Sequence, residues 1–233
     1  VCLFIIQRIE MNEKKNLTIE ETFALAVQNH RKNNLQVAEK LYKEILVKEP
    51  NHFDALYNLS KLFAQTRRFN LAKPLLYKVI QIKPNYTKAH NNLGIILTKL
   101  KEYENAISSF KEAIQLQPNY PDAYFNHGIV LQELGENNKA IACYEKAIQI
   151  KPDHAKAYNN LGIALQELGE YRKAKFYYEK SIQLKSEYSD AHYNLGRVMQ
   201  ELGEHKEAII YYEKAIQIKP DHAKAYNNLG IAL

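Results

Sequence analysis

Positions 50, 84, 118, 152, 186 and 220 of this chain are spaced 34 residues apart. Proline occupies five of them (Pro50, Pro84, Pro118, Pro152 and Pro220) and Ser186 the sixth. A fixed period of this length is the mark of a chain built from stacked copies of one supersecondary unit. It constrains function as well, because stacked units present extended surfaces rather than enclosed catalytic pockets.

Placing each proline at position 32 of the unit starts the repeats at Ile19, Phe53, Thr87, Pro121, Ala155 and Ser189, with a partial copy over 223–233. Residues 1–18 precede the array. Position 8 is small (Ser60, Gly94, Gly128, Gly162, Gly196, Gly230), and position 20 is always alanine (Ala38, Ala72, Ala106, Ala140, Ala174, Ala208). Large apolar residues alternate with them, at Leu59, Leu93, Leu161, Leu195 and Leu229 of position 7 and at Tyr144, Tyr178 and Tyr212 of position 24. Leu161, Leu165 and Leu168, and then Tyr178 and Ile182, fall at helical spacing. Two helices per unit are predicted, broken near position 15 (Gly135, Gly169, Gly203) and again at the proline. Since each unit shares its apolar face with the next, residues 19–233 are read as one domain.

The run Tyr158, Asn160, Leu161, Gly162, Leu165, Ala174 and Tyr178, closed by the recurring proline, resembles the tetratricopeptide repeat. The resemblance covers residues 19–233 and implies an all-α fold, a right-handed α-solenoid of helix–turn–helix repeats. Departures are local. The chain has no tryptophan, His127 replaces the expected leucine, Asn137 replaces an aromatic, and the first repeat is degenerate at Thr22 and Ala26.

Both ends of the chain depart from the pattern. Val1–Ile6 is apolar but far shorter than the ~20 residues a membrane span needs, and it lacks the features of a signal peptide. Met11 is the more natural first residue, with Thr18 and Glu21 forming a capping box before the first helix; residues 1–10 are read as non-native or a fragment edge. At the other end, Tyr144–Leu165 and Tyr212–Leu233 are identical, and the chain stops inside a first helix. The expectation is a sequence incomplete at its C-terminus, with an exposed last face open to self-association. Cys2 and Cys143 are too few and too distant for a disulfide framework or zinc site. A cytoplasmic setting follows, and the glycosylation-like triplets at Asn16, Asn58 and Asn85 are read as chance.

In the family that the chain resembles, first helices line the inner groove. Positions 7, 8 and 11 face the core, which leaves positions 2, 6, 9 and 13 as the opposite stripe. Position 6 is asparagine from the second repeat on: Asn58, Asn92, Asn126, Asn160, Asn194 and Asn228. A carboxamide donates and accepts, so it suits a peptide backbone in either orientation. With helices ~8–10 Å apart and extended chain at ~3.3–3.6 Å per residue, one asparagine would meet a ligand about every three residues. The row resembles the asparagine ladder in the repeat domain of O-linked N-acetylglucosamine transferase. Two uses are open to it, clamping a ligand or joining adjacent helices. Position 2 alternates Asp54, Lys88, Asp122, Lys156, Asp190, Lys224, and position 5 alternates Tyr57, Asn91, Phe125, Asn159, Tyr193, Asn227. Isoleucine holds most of position 9. This surface suits a mixed, largely uncharged peptide, although the alternation also records duplication of a two-repeat block.

Other functions fit less well. A chaperone-type carboxylate clamp needs lysine at position 5 and arginine at position 6, and no repeat has either. The net charge of +6 invites a nucleic-acid reading. The recurring lysines, however, sit on the second helix (Lys146, Lys151, Lys214, Lys219), while Glu133, Glu167 and Glu201 lie in the groove, so neither nucleic acid nor membrane is expected as a partner. No phosphate-binding loop, metal motif or nucleophile elbow is present in the sequence, so no cofactor or catalytic residue is assigned. Two functional classes remain. One is a scaffold for extended segments of partner proteins, and the other is the substrate-recruiting arm of a truncated glycosyl-, sulfo- or methyltransferase.

Overall fold

The computed structural model describes residues 17–233. The readings of Val1–Ile6, Met11, Cys2 and Asn16 lie outside the described residues. Thirteen helices are described and no strand: α1 Ile19–Arg31, α2 Leu35–Lys48, α3 Phe53–Gln65, α4 Phe69–Ile82, α5 Thr87–Lys99, α6 Tyr103–Leu116, α7 Pro121–Glu133, α8 Asn137–Ile150, α9 Ala155–Glu167, α10 Tyr171–Leu184, α11 Ser189–Glu201, α12 His205–Ile218 and α13 Ala223–Ala232. The helices alternate in the predicted register, with odd-numbered ones first and even-numbered ones second in each repeat. The fold is thus an all-α array of helix–turn–helix repeats. The described residues form two compact units, one ending at Glu102 and the other spanning residues 103–233.

Each repeat's turn is made by one residue in the left-handed region, always at position 15. In the second unit it is Gly135, Gly169 and Gly203, with φ of 75°, 75° and 79°. The Glu136 N–H then donates to the Leu131 carbonyl at 2.8 Å, closing the helix end. In the first unit the same turn is made by Asn33, Arg67 and Lys101, at φ 62°, 58° and 61°. Side chains there carry a steric cost that glycine avoids. The expected capping box is present: the Thr18 hydroxyl accepts from the Glu21 N–H at 3.1 Å, and the Glu21 carboxylate accepts from the Thr18 N–H at 2.9 Å.

Small-against-large packing joins the two helices of a repeat. In the second unit Tyr144, Tyr178 and Tyr212 are fully buried, each lying across a glycine of the preceding helix. A Cβ at Gly128 or Gly162 would stand 2.6 Å from the tyrosine ring, and one at Gly196 would stand 2.7 Å from it. The phenol hydroxyls donate to Gln132, Gln166 and Gln200 at position 12, each at 2.9 Å, so burial leaves no phenol unsatisfied. The phenols of Tyr144 and Tyr178 are pushed well above the usual range by burial.

Candidate functional site

The stripe of positions 2, 6, 9 and 13 lies on the first helices. Within each unit they pack on their partner helices and also meet one another directly, α1 with α3, and α7, α9, α11 and α13 in succession. Position 2 is solvent-exposed at Asp54, Lys88, Asp122, Lys156, Asp190 and Lys224. Position 13 is exposed too, and its charge differs between units: Arg31, Gln65 and Lys99 in the first, Glu133, Glu167 and Glu201 in the second. Ile129 and Ile163 at position 9 are only partly exposed and pack against the core.

The asparagines sit deeper than an opposite stripe implies. Asn58, Asn92, Asn126, Asn160 and Asn228 are half-buried and Asn194 is buried. Asn92, Asn194 and Asn228 each make a bond that crosses from one repeat to the next. The Asn92 carboxamide donates to the Tyr57 hydroxyl at 3.1 Å, Asn194 donates to the Asn159 carbonyl oxygen at 3.1 Å, and Asn228 donates to the Tyr193 hydroxyl at 3.4 Å. Each bond links position 6 to position 5 of the preceding repeat. The helix-joining use of these residues is therefore realised in the geometry. Asn58 instead donates to the Asp54 carbonyl of its own helix at 2.9 Å, and Asn160 accepts from Asn159 at 3.2 Å.

The alternation at positions 2 and 5 has a structural counterpart at position 34, which the sequence reading passes over. Phe125 packs tilted against His154 with centroids 4.8 Å apart, Tyr193 packs likewise against His222 at 4.9 Å, and Tyr57 meets Tyr86 edge to face at 5.1 Å. The histidines also cap the next first helix: Nδ1 of His154 accepts from the Ala157 N–H at 3.3 Å, and Nδ1 of His222 accepts from the Ala225 N–H at 3.2 Å. An accepting Nδ1 puts the ring proton on Nε2. That atom lies 3.9 Å from Asp122 Oδ1 in one case and 3.7 Å from Asp190 Oδ1 in the other. Burial, aided by Lys151, holds the His154 pKa below the ordinary value, with Asp122 opposing. The signal that exposes this trio is shared phase: aspartate at 2, an aromatic at 5 and histidine at 34 occur together in the repeats that begin at Pro121 and Ser189.

The two candidate reactive groups in the core are quiescent. The His127 pKa falls to about 4 through burial and the charge of Lys111, against a smaller opposite effect of Glu136. Cys143, whose Sγ lies 3.6 Å from His127 Nδ1, has its thiol pKa raised by burial to about 11. A thiol held protonated is a poor nucleophile. Among the described residues no group of three or more His, Cys, Asp or Glu could hold a metal ion, and no helix is long and apolar enough to cross a membrane.

The comparisons agree with this geometry. Models described as tetratricopeptide repeat match residues 31–87, 120–187 and 189–222, and one described as TPR repeat matches 94–135. A model of anaphase-promoting complex subunit 5 matches residues 3–49. No curated protein matches significantly. Among solved structures, MamA is 30% identical, with 69% of this chain and 94% of that one covered at a TM-score of 0.65. PilW, a type IV pilus biogenesis factor, is 19% identical, with 92% and 99% covered at 0.81. YrrB, a TPR protein with an unusual peptide-binding site, is 19% identical, with 80% and 96% covered at 0.63. At these lower identities the likeness speaks to the fold alone. The repeat period, the small-against-large helix packing and the matched models converge, and the chain belongs to the tetratricopeptide repeat family.

Proposed function

We propose that this protein is an interaction scaffold that holds extended segments of partner proteins along the first-helix face of its repeats, in the cytoplasm. The observation that carries the reading is the direct meeting of successive first helices. It brings position-2 charges, position-5 rings and position-6 carboxamides into rows along one face of each unit. The repeat-to-repeat bonds of Asn92, Asn194 and Asn228 use the amide donor, which fixes the orientation of the carboxamide. Its oxygen has two acceptor sites and serves a ligand backbone N–H at little further ordering cost. Tyr57, Phe125 and Tyr193 supply half-buried apolar contact beside it. Lys88, Asp122, Lys156 and Asp190 supply alternating exposed charge.

The test is selection of extended peptides from a displayed library on the whole chain, repeated with Asn126, Asn160 and Asn194 all replaced by alanine. Enrichment on the wild type and its loss in the variant, with far-ultraviolet circular dichroism unchanged, is the expected result. Equal enrichment on both would remove the asparagines from the binding surface.

A further inference from the structure

The tyrosine–glutamine–glycine set that fills each hairpin of the second unit is replaced in the repeat that begins at Phe53. Position 24 is Leu76, position 12 is Ala64 and position 8 is Ser60. In every other complete repeat position 24 is aromatic, namely Tyr42, Phe110, Tyr144, Tyr178 and Tyr212. The change removes the outer half of a phenol and the arm of a glutamine from the inside of a hairpin. A cavity of about 320 Å³ remains, lined by Leu76, Ala64, Ser60, Ile95, Ile96 and the base of Lys61, with His30, Gln65 and Asn92 at its margin. Leu76 is 1% exposed and Ser60 is 1% exposed, the Ser60 hydroxyl donating to the Tyr57 carbonyl at 2.6 Å. The floor is therefore apolar, with its one hydroxyl already satisfied.

The cavity opens among α1, α3 and α5, on the face that carries Asn92. That carboxamide is tied to Tyr57 across the joint between these repeats. Lys61 is the only Lys, Arg, Asp or Glu among the residues that line the cavity. Lys61, Arg31 and Lys99 occupy positions 9 and 13 of the three first helices, all exposed, and no carboxylate shares those positions in this unit. The remaining residues at the margin bond to one another and to α1: His30 Nε2 lies 3.1 Å from Gln65 Oε1, and Gln65 also donates to Asn33 at 3.2 Å.

We infer that this cavity is a side-chain pocket for the bound segment, taking a leucine-sized aliphatic residue flanked by aspartate or glutamate. The inference rests on the groove reading above and adds its specificity: the second repeat reads a side chain, whereas the asparagine rows read backbone. The ligand's apolar side chain leaves water for the half-buried Ala64 and Ile95, which are backed by the buried Leu76 and Ile96. Its acidic neighbours meet Lys61, Arg31 and Lys99.

The test uses the whole chain and three synthetic peptides of one length, with leucine between aspartates, alanine between aspartates, and leucine between lysines. The expected result is binding of the first about tenfold tighter than the second, the scale of burying an aliphatic side chain, with the third weaker than the first. The filled variant S60G/A64Q/L76Y installs the trio that three hairpins of the second unit already accommodate. It should lose the preference for leucine over alanine, and Ala64→Gln alone should reduce it. Equal wild-type affinity for the leucine and alanine peptides, or a preference that survives in a folded filled variant, would overturn the pocket and leave the groove reading standing. Binding of none of the three peptides overturns the pocket, and the library selection above then decides the groove reading by itself.

Discussion

At the scale of single residues, His127 shows how one off-pattern side chain sets a pH dependence. It stands where Leu59, Leu93, Leu161 and Leu195 stand in other repeats, is buried, and has an Nε2 with no hydrogen-bond partner. Its folded-state pKa of about 4 lies below the ordinary histidine value of 6.5. The unfolded chain therefore takes up a proton as pH falls through 6.5, and the folded chain does so only near 4. The stability contributed by keeping the ring neutral is complete above 6.5 and is lost as pH falls through that window. His154 and His192, also lowered by burial, act in the same direction. Replacing His127 by leucine should raise the melting temperature, and more so near about pH 5 than at neutral pH. Equal gains at both would remove the ring from the acid-side loss. His127 was legible as a departure from the motif, but its missing partner was not, because Lys111, Glu136 and Cys143 reach it only in three dimensions. The left-handed turns at Asn33, Arg67 and Lys101 were illegible for another reason. The glycine that announces such a turn is absent, and packing of the two flanking helices imposes the conformation.

At the scale of helices, the hairpins were nearly fully legible. Small residues at positions 8 and 20 and a large one at 24 state which faces meet, and the helices begin and end in the register that the prolines mark. Gly162→Leu tests that register. Its Cβ alone would stand 2.6 Å from the Tyr178 ring, and overpacking of this kind costs ~1–3 kcal/mol. Thermal or urea unfolding should show the loss, and an unchanged midpoint would contradict the packing. The candidate site was only half legible. Asparagine at position 6 announces itself by recurrence, but its bond to position 5 joins residues 35 apart in sequence. The ring pairs of positions 5 and 34 likewise gain meaning only once a helix start is seen to need a cap.

At the scale of the whole chain, the identical segments Tyr144–Leu165 and Tyr212–Leu233 provide an internal control. Intrinsic helix propensity is the same in both, so any difference in protection comes from packing. Gly162 lies against Tyr178, whereas a Cβ at Gly230 would meet nothing within 4 Å. Tyr226 is 52% exposed and Ile231 is 65% exposed. Amide hydrogen exchange should be markedly faster over 225–233 than over 157–165 in the same molecule, and equal rates would show that α13 is covered in solution. The joint between repeats has a consequence for how such a chain changes length. In the joints made by Asn92, Asn194 and Asn228, one partner in the bond is the asparagine of the following copy and the other is the tyrosine or asparagine of the preceding one. A copy with tyrosine or asparagine at its fifth position can therefore be followed by any copy with asparagine at its sixth, whereas the copy that carries Phe125 offers no acceptor there. A whole copy can thus be inserted or deleted without a new match only behind a polar fifth residue.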